Sequence, residues 1–138
     1  MLCGGMTVPA YRFPVRAEAA HIDELGHVNN TVYVAWAQEA GVRHWRSRAK
    51  AEMQAAYVWV ASRLEIDFLA ETFLGDELSV ETWVEAPRGA RFDRQVRIIG
   101  SDGRPRAAVR TTWALIDARS RRPARVTQAM ASLFEPQV

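Results

Sequence analysis

Asp23-Glu24-Leu25-Gly26-His27-Val28-Asn29-Asn30-Thr31-Val32-Tyr33 decides how this chain reads. An acid, an imidazole, two carboxamides and a glycine stand directly before an apolar-rich run, Val32 to Trp45, that contains no proline. That order describes a polar loop feeding the N-terminus of a buried helix. Asn29 and Asn30 are natural N-caps, because a carboxamide oxygen accepts from the unpaired N–H groups of a first helical turn. Gly26 supplies a backbone angle, or a close ligand approach, that a side chain would forbid. The same helix end carries the positive pole of the helix dipole. A carboxylate beside it, Asp23, is placed to act on a carbonyl that the terminus polarises.

Within the helix, Tyr33, Trp36, Ala37, Ala40, Gly41, His44 and Trp45 share one face. Val34, Ala35 and Val42 make the opposite face apolar too, which implies burial nearly all round. The helix turns polar over Arg46 to Lys50, where basic residues suit the dipole's negative end. Upstream, Tyr11, Phe13, Val15 and Ala17 alternate with polar residues, a first strand that Pro14 assigns to an edge or a bulge. From Tyr57 the period is two. Val58, Val60, Ser62, Leu64, Ile66 and Phe68 read as the core row, with Tyr57, Trp59 and Ala61 opposite. Gly75-Asp76 turns the chain into a strand with Leu78, Val80, Thr82 and Val84 inside. Pro87-Arg88-Gly89 turns it again into a strand marked by Phe92, Val96 and Ile98. Ser101-Asp102-Gly103 is a hairpin turn leading to Val109, Thr111, Trp113 and Leu115 in phase. Arg119 to Pro123 is a basic loop, and Val126 to Phe134 a short closing element.

One long helix and one antiparallel sheet make an α+β domain, read as a single unit over 1–138 with 1–9 as a loose leader. The second sheet face, with Trp59 and Trp83, and the sheet edges call for cover, which a homodimer would supply. Of 138 residues, 49% are hydrophobic, enough for one core rather than a disordered chain. Lys and Arg total 18 against 16 Asp and Glu, a net charge of +2 that is too small to argue for nucleic acid. The one cysteine, Cys3, forms no intrachain disulfide, and no apolar run spans a bilayer. A cytoplasmic protein without membrane insertion is the expectation.

The order of elements, the loop Asp23-x-x-Gly26-His27-x-Asn29-Asn30-x-x-Tyr33 and the Gly75-Asp76 turn resemble the hotdog-fold thioesterases. They are most similar to the 4-hydroxybenzoyl-CoA thioesterase-like branch, over Tyr11 to Phe134. The resemblance implies a five-stranded antiparallel sheet wrapped around one long helix, and a homodimer often paired into a homotetramer. It implies hydrolysis of an acyl-CoA or acyl-ACP thioester with no metal or redox cofactor. It places the catalytic carboxylate at Asp23 and the carbonyl-polarising backbone N–H at Asn30. The His-Val-Asn-Asn form also resembles plant acyl-ACP thioesterases, which adds a catalytic role for His27. That branch has an asparagine where this chain has Leu25. Gly26, Asn29 and Tyr33 are the expected substrate-binding positions.

Each residue has a plainer reading. Asp23 caps a turn, or else serves as nucleophile or general base. His27 fixes the loop, or orients Asp23 or the thioester. Glu39, inside the helix, reads as a buried partner of a sheet arginine, set against the catalytic acid that another hotdog branch carries on its helix. Arg88, Arg91, Arg119, Arg121, Arg122 and Arg125 form a solvated basic face, or hold the phosphates of a carrier. An acyl-thioester dehydratase or hydratase on the same fold, and a non-catalytic acyl-CoA sensor, are the alternatives.

Overall fold

The computed structural model describes residues 8–137. Cys3 and most of the leader segment lie outside the described residues. The chain runs β1 (Tyr11–Arg16), a short 3-10 turn (Ala19–His21), α1 (Asn30–Arg48), α2 (Ala51–Ala56), β2 (Tyr57–Phe68), β3 (Glu77–Val84), β4 (Arg91–Gly100), β5 (Pro105–Asp117) and α3 (Gln128–Ser132). The strands form one five-stranded sheet in the order β1-β3-β4-β5-β2, antiparallel throughout. The short α2 is an element the sequence did not announce.

Seven helix residues are buried: Tyr33, Trp36, Ala37, Ala40, Gly41, His44 and Trp45. They are the seven that helical periodicity assigns to one face. The first half of α1 meets Phe13, Leu78, Val80, Val96, Ile98 and Val109 in one core cluster. The second half meets Phe92, Trp113, Leu115, Val126, Met130 and Phe134 in another. The opposite face differs from expectation. Ala35 is exposed and Val42 is 39% exposed, so a single chain leaves that side of the helix uncovered.

The inner row of β2 also departs from strict alternation. Pairing with β5 shifts between Ala61 and Arg63, so Ser62 is an extra residue in the ladder. A bulge of this kind moves every following side chain to the other face. Leu64 and Ile66 pack inward, as expected. Before the bulge the phase is reversed. Tyr57, Trp59 and Ala61 pack against the core, while Val58 and Val60 stand 47% and 49% exposed. Trp59 is thus a core residue, stacked on Phe92 at 4.7 Å. Trp83 does face outward, with the Arg97 guanidinium 5.0 Å from its ring centroid. Glu39 pairs with Arg43 of the same helix at 2.8 Å, with both side chains nearly half exposed, and not with a sheet arginine.

One histidine is wholly buried. His44 stacks on Tyr11 and accepts a hydrogen bond at Nδ1 from Arg94 at 3.0 Å. Burial, then the Arg94 and Arg48 charges, lower its pKa from 6.5 to about 3. Between those two values the unfolded chain binds a proton that the folded chain refuses, so stability falls as pH drops below 6.5. At pH 5 the loss approaches about 2 kcal/mol. Urea unfolding at pH 7.5 and pH 5 should show that loss in the wild type. His44→Gln, which keeps an acceptor for Arg94, should remove most of it.

Phe134 closes the second cluster at 1% exposure, against His44, Trp45, Trp59 and Phe92. Phe134→Ala should cost about 3–5 kcal/mol. The expected fall in melting temperature is on the order of 10 °C.

Candidate active site

The loop before α1 is fastened at each turn. The Asp23 carboxylate accepts the Leu25 N–H at 2.9 Å, and the Asp23 carbonyl accepts the Gly26 N–H at 3.0 Å. Gly26 sits at φ 87°, with nothing within 4 Å of where a Cβ would be, so the backbone angle alone demands glycine there. Val28 is buried. Its N–H donates to the Thr72 carbonyl at 2.8 Å, and the Asn29 N–H donates to the His21 carbonyl at 2.9 Å. Tyr33 adds a buried bond, its hydroxyl donating to Thr72 Oγ1 at 2.8 Å. The segment around Thr72 therefore braces both the loop and the first turn of the helix.

Asn29 is the N-cap. Its side-chain oxygen accepts from the Thr31 N–H at 2.9 Å and from the Thr31 hydroxyl at 2.7 Å. Asn30 is then the first helical residue, and its N–H is one of the unpaired donors of the first turn. Beside it lies an open groove of about 640 Å³, lined by His27, Asn30, Tyr33, Phe68, Glu71, Phe73, Arg104 and Arg106 among others. The structure thus brings His27, Asn30 and Tyr33 to one groove. Asp23, Gly26 and Asn29 belong to the same loop but are not on the groove wall. The Asp23 turn-capping bond uses Oδ1. His27 Nδ1 lies 3.4 Å from the Val28 carbonyl, too long to hold the ring firmly.

The basic residues at the groove are not the expected ones. Arg106 is 7% exposed. It donates to Asp102 at 3.1 Å and to the Arg104 carbonyl at 2.8 Å, and its Nε has no partner. Both arginines belong to the hairpin that enters β5 beside the end of β2, where the Leu69 N–H donates to the Arg106 carbonyl. Arg119, Arg121, Arg122 and Arg125 follow the far end of β5, about 35 Å along the strand. Arg88 pairs with Asp93 on the outer sheet face. In one chain, the basic loop read from sequence is remote from the groove. The Asp102-Gly103 turn was the available signal for Arg104 and Arg106, since a tight hairpin returns its flanking residues to one sheet end. Among the described residues, no three His, Cys, Asp or Glu side chains are grouped to hold a metal ion.

A helix N-terminus with a fastened acidic loop, set against a five-stranded antiparallel sheet, defines a hotdog fold of the thioesterase kind. The chain belongs to the thioesterase-like superfamily, whose family model matches residues 17–134. That membership supports thioester hydrolysis as its class of chemistry. A 1,4-dihydroxy-2-naphthoyl-CoA thioesterase from Synechocystis superposes with a TM-score of 0.77 at 19% identity, covering 90% of this chain and 94% of its own. A thioesterase from Thermus thermophilus, complexed with coenzyme A and Zn, gives 0.78 at 23% identity, covering 91% and 92%. An acyl-ACP thioesterase from Bacteroides thetaiotaomicron gives 0.74 at 29% identity over 83% of this chain. This chain spans only 48% of that protein. No curated protein matches the sequence significantly. Among the described residues, no helix is long and apolar enough to cross a membrane.

Proposed function

We propose that the protein is a cytoplasmic acyl-CoA thioesterase whose site is the groove at the start of α1. The observation that supports this most is the unpaired Asn30 N–H at a helix N-terminus beside a groove large enough for a thioester. That donor stabilises the oxygen of the tetrahedral intermediate. Asp23 either attacks the carbonyl to form a mixed anhydride that water then hydrolyses, or takes a proton from the water that attacks it; in both routes the carrier leaves as a thiol and the acyl group as the free acid. Gly26 and Asn29 hold the loop around the substrate, and Tyr33 forms the groove wall. His27 stands on the groove wall, where it would orient the thioester. The route draws on no metal or redox cofactor. Arg104 and Arg106 are the phosphate-facing cations of the groove, since guanidinium groups suit phosphate oxygens. The coenzyme A bound to the Thermus thermophilus protein favours CoA as the carrier.

A saturated acyl-CoA and its α,β-unsaturated counterpart test the reaction class together. Thiol release from both is the expected result. Loss of the enoyl absorbance without thiol release would instead make the protein a hydratase.

We further propose that the chain works as a homodimer, on its own or within a homotetramer. Val58 and Val60 on the unpaired edge strand β2, with Val42 on the uncovered helix face, are apolar surface that a second copy would bury. Sedimentation of the wild type should give a dimer mass or a multiple of it. Val60→Lys should shift the mass toward the monomer. A monomeric wild type at micromolar concentration would contradict the dimer.

A further inference from the structure

Thr72 is a buried polar residue on the segment that joins β2 to β3. It is 0% exposed and does not reach the groove wall. Its neighbours are tied to the sheet on both sides. The Leu69 and Ala70 N–H groups donate to the Arg106 carbonyl at 2.9 and 3.3 Å, and the Phe73 N–H donates to Asp76 Oδ2 at 2.9 Å. From this fixed place Thr72 accepts hydrogen bonds from two different elements. Its carbonyl takes the Val28 N–H of the loop at 2.8 Å, and its Oγ1 takes the Tyr33 hydroxyl of the helix at 2.8 Å.

Each of those donors stands beside a group of the site. The Asp23 N–H donates to the His27 carbonyl at 3.1 Å, so the loop that carries Asp23 closes directly beside Val28. Tyr33 follows Asn30 by three residues, which sets the two on one face of α1, one turn apart. A helical side chain leans toward the N-terminus, so the Tyr33 hydroxyl pins the turn that carries the Asn30 N–H. An apolar pair would fill the same space without burying two hydroxyl groups. The Tyr33 ring needs no hydroxyl to stay packed, with its centroid 5.8 Å from Trp36 and 5.9 Å from Phe68. What the hydroxyl adds is a directed link from the helix to the residue that also holds the loop. We propose that Thr72 is a positioning residue for thioester hydrolysis: through Tyr33 and Val28 it sets the spacing between the Asn30 N–H and Asp23. The catalytic part rests on the thioesterase reading, the clamp on its two hydrogen bonds alone.

A double-mutant cycle separates positioning from stability. Tyr33→Phe and Thr72→Val each nearly keep the side-chain shape but leave one buried hydroxyl without its partner. Each should lower the melting temperature by roughly 5 °C. With both hydroxyls gone no buried group is orphaned, so the double variant should melt near the wild type. Its kcat should still be about ten-fold down, because the helix terminus is no longer held to the segment, with KM changed by about two-fold at most. Thr72→Ser, which returns the hydroxyl, should recover kcat. A double variant whose kcat recovers together with its melting temperature would reduce the pair to packing and overturn the proposal. A loss of kcat in Thr72→Ser as large as in Thr72→Val would overturn it too.

Amide hydrogen exchange reads the clamp without substrate. In the double variant the Val28 and Val32 N–H groups, which bond to the Thr72 and Asn29 carbonyls, should exchange about ten-fold faster. The Ala49 N–H, bonded to the Trp45 carbonyl at the far end of α1, should be unchanged. Unaltered exchange at Val28 and Val32 would overturn the clamp. Faster exchange there, in a protein that releases no thiol from any thioester, would keep the clamp and remove the thioesterase reading instead.

Discussion

Asp23→Asn is expected to lower kcat by about 10²- to 10⁴-fold, the usual contribution of a positioned base. The fold should survive, because the substitution is nearly isosteric. The Asn oxygen still accepts from the Leu25 N–H, the one side-chain bond that holds the turn at this position. What the amide loses is the basic, nucleophilic oxygen. A melting curve that overlays the wild type, together with a collapsed kcat, would separate chemistry from structure. Retained turnover would reduce Asp23 to the turn cap that its observed hydrogen bond describes.

Asn30→Pro should cost about 10²- to 10³-fold in kcat, the typical loss on removing one oxyanion donor. Side-chain replacement barely touches a backbone N–H, but proline deletes it. Proline is well tolerated at the first helical position, where its missing donor has no intrahelical partner. It asks the preceding residue to be extended. Asn29 already is, at φ −63° and ψ 141°. The Asn29 cap, which bonds to Thr31, is left in place. Asn30→Ala is the control, and it should keep nearly all activity. Equal activity in the proline and alanine variants would remove the N–H from the mechanism.

The loop and the helix cap around these two positions were legible in the sequence because their signal is local. A cap, a glycine and an acid within a few residues are read without knowing what packs where. The buried face of α1 was legible for a similar reason, since a period near four runs unbroken from Tyr33 to Trp45. The first half of β2 was not. Both of its rows are apolar, Tyr57, Trp59 and Ala61 against Val58 and Val60, so alternation cannot choose between them. The Ser62 bulge that inverts the phase carries no glycine to mark it. Arg94 shares its phase with Phe92, Val96 and Ile98, but a charge in a core row is not what a strand pattern predicts. The groove arginines were missed because a loop's place at one end of the sheet depends on strand pairing. Arg104 and Arg106 are brought beside the end of β2 by the long β2–β5 ladder, which sets Ala107 opposite Phe68 and Asp117 opposite Tyr57.

Whether this chain cleaves thioesters is tested most directly by free-thiol release. Wild-type protein is incubated with short, long and aromatic acyl-CoAs, and with one acyl-ACP, in the presence of a colorimetric thiol reagent. Sustained release well above the uncatalysed rate is expected from at least one acyl-CoA, with one thiol formed for each acid. No release from any CoA or ACP thioester, with acyl-CoA binding still measurable, would contradict thioester cleavage and leave an acyl-CoA sensor on a thioesterase frame.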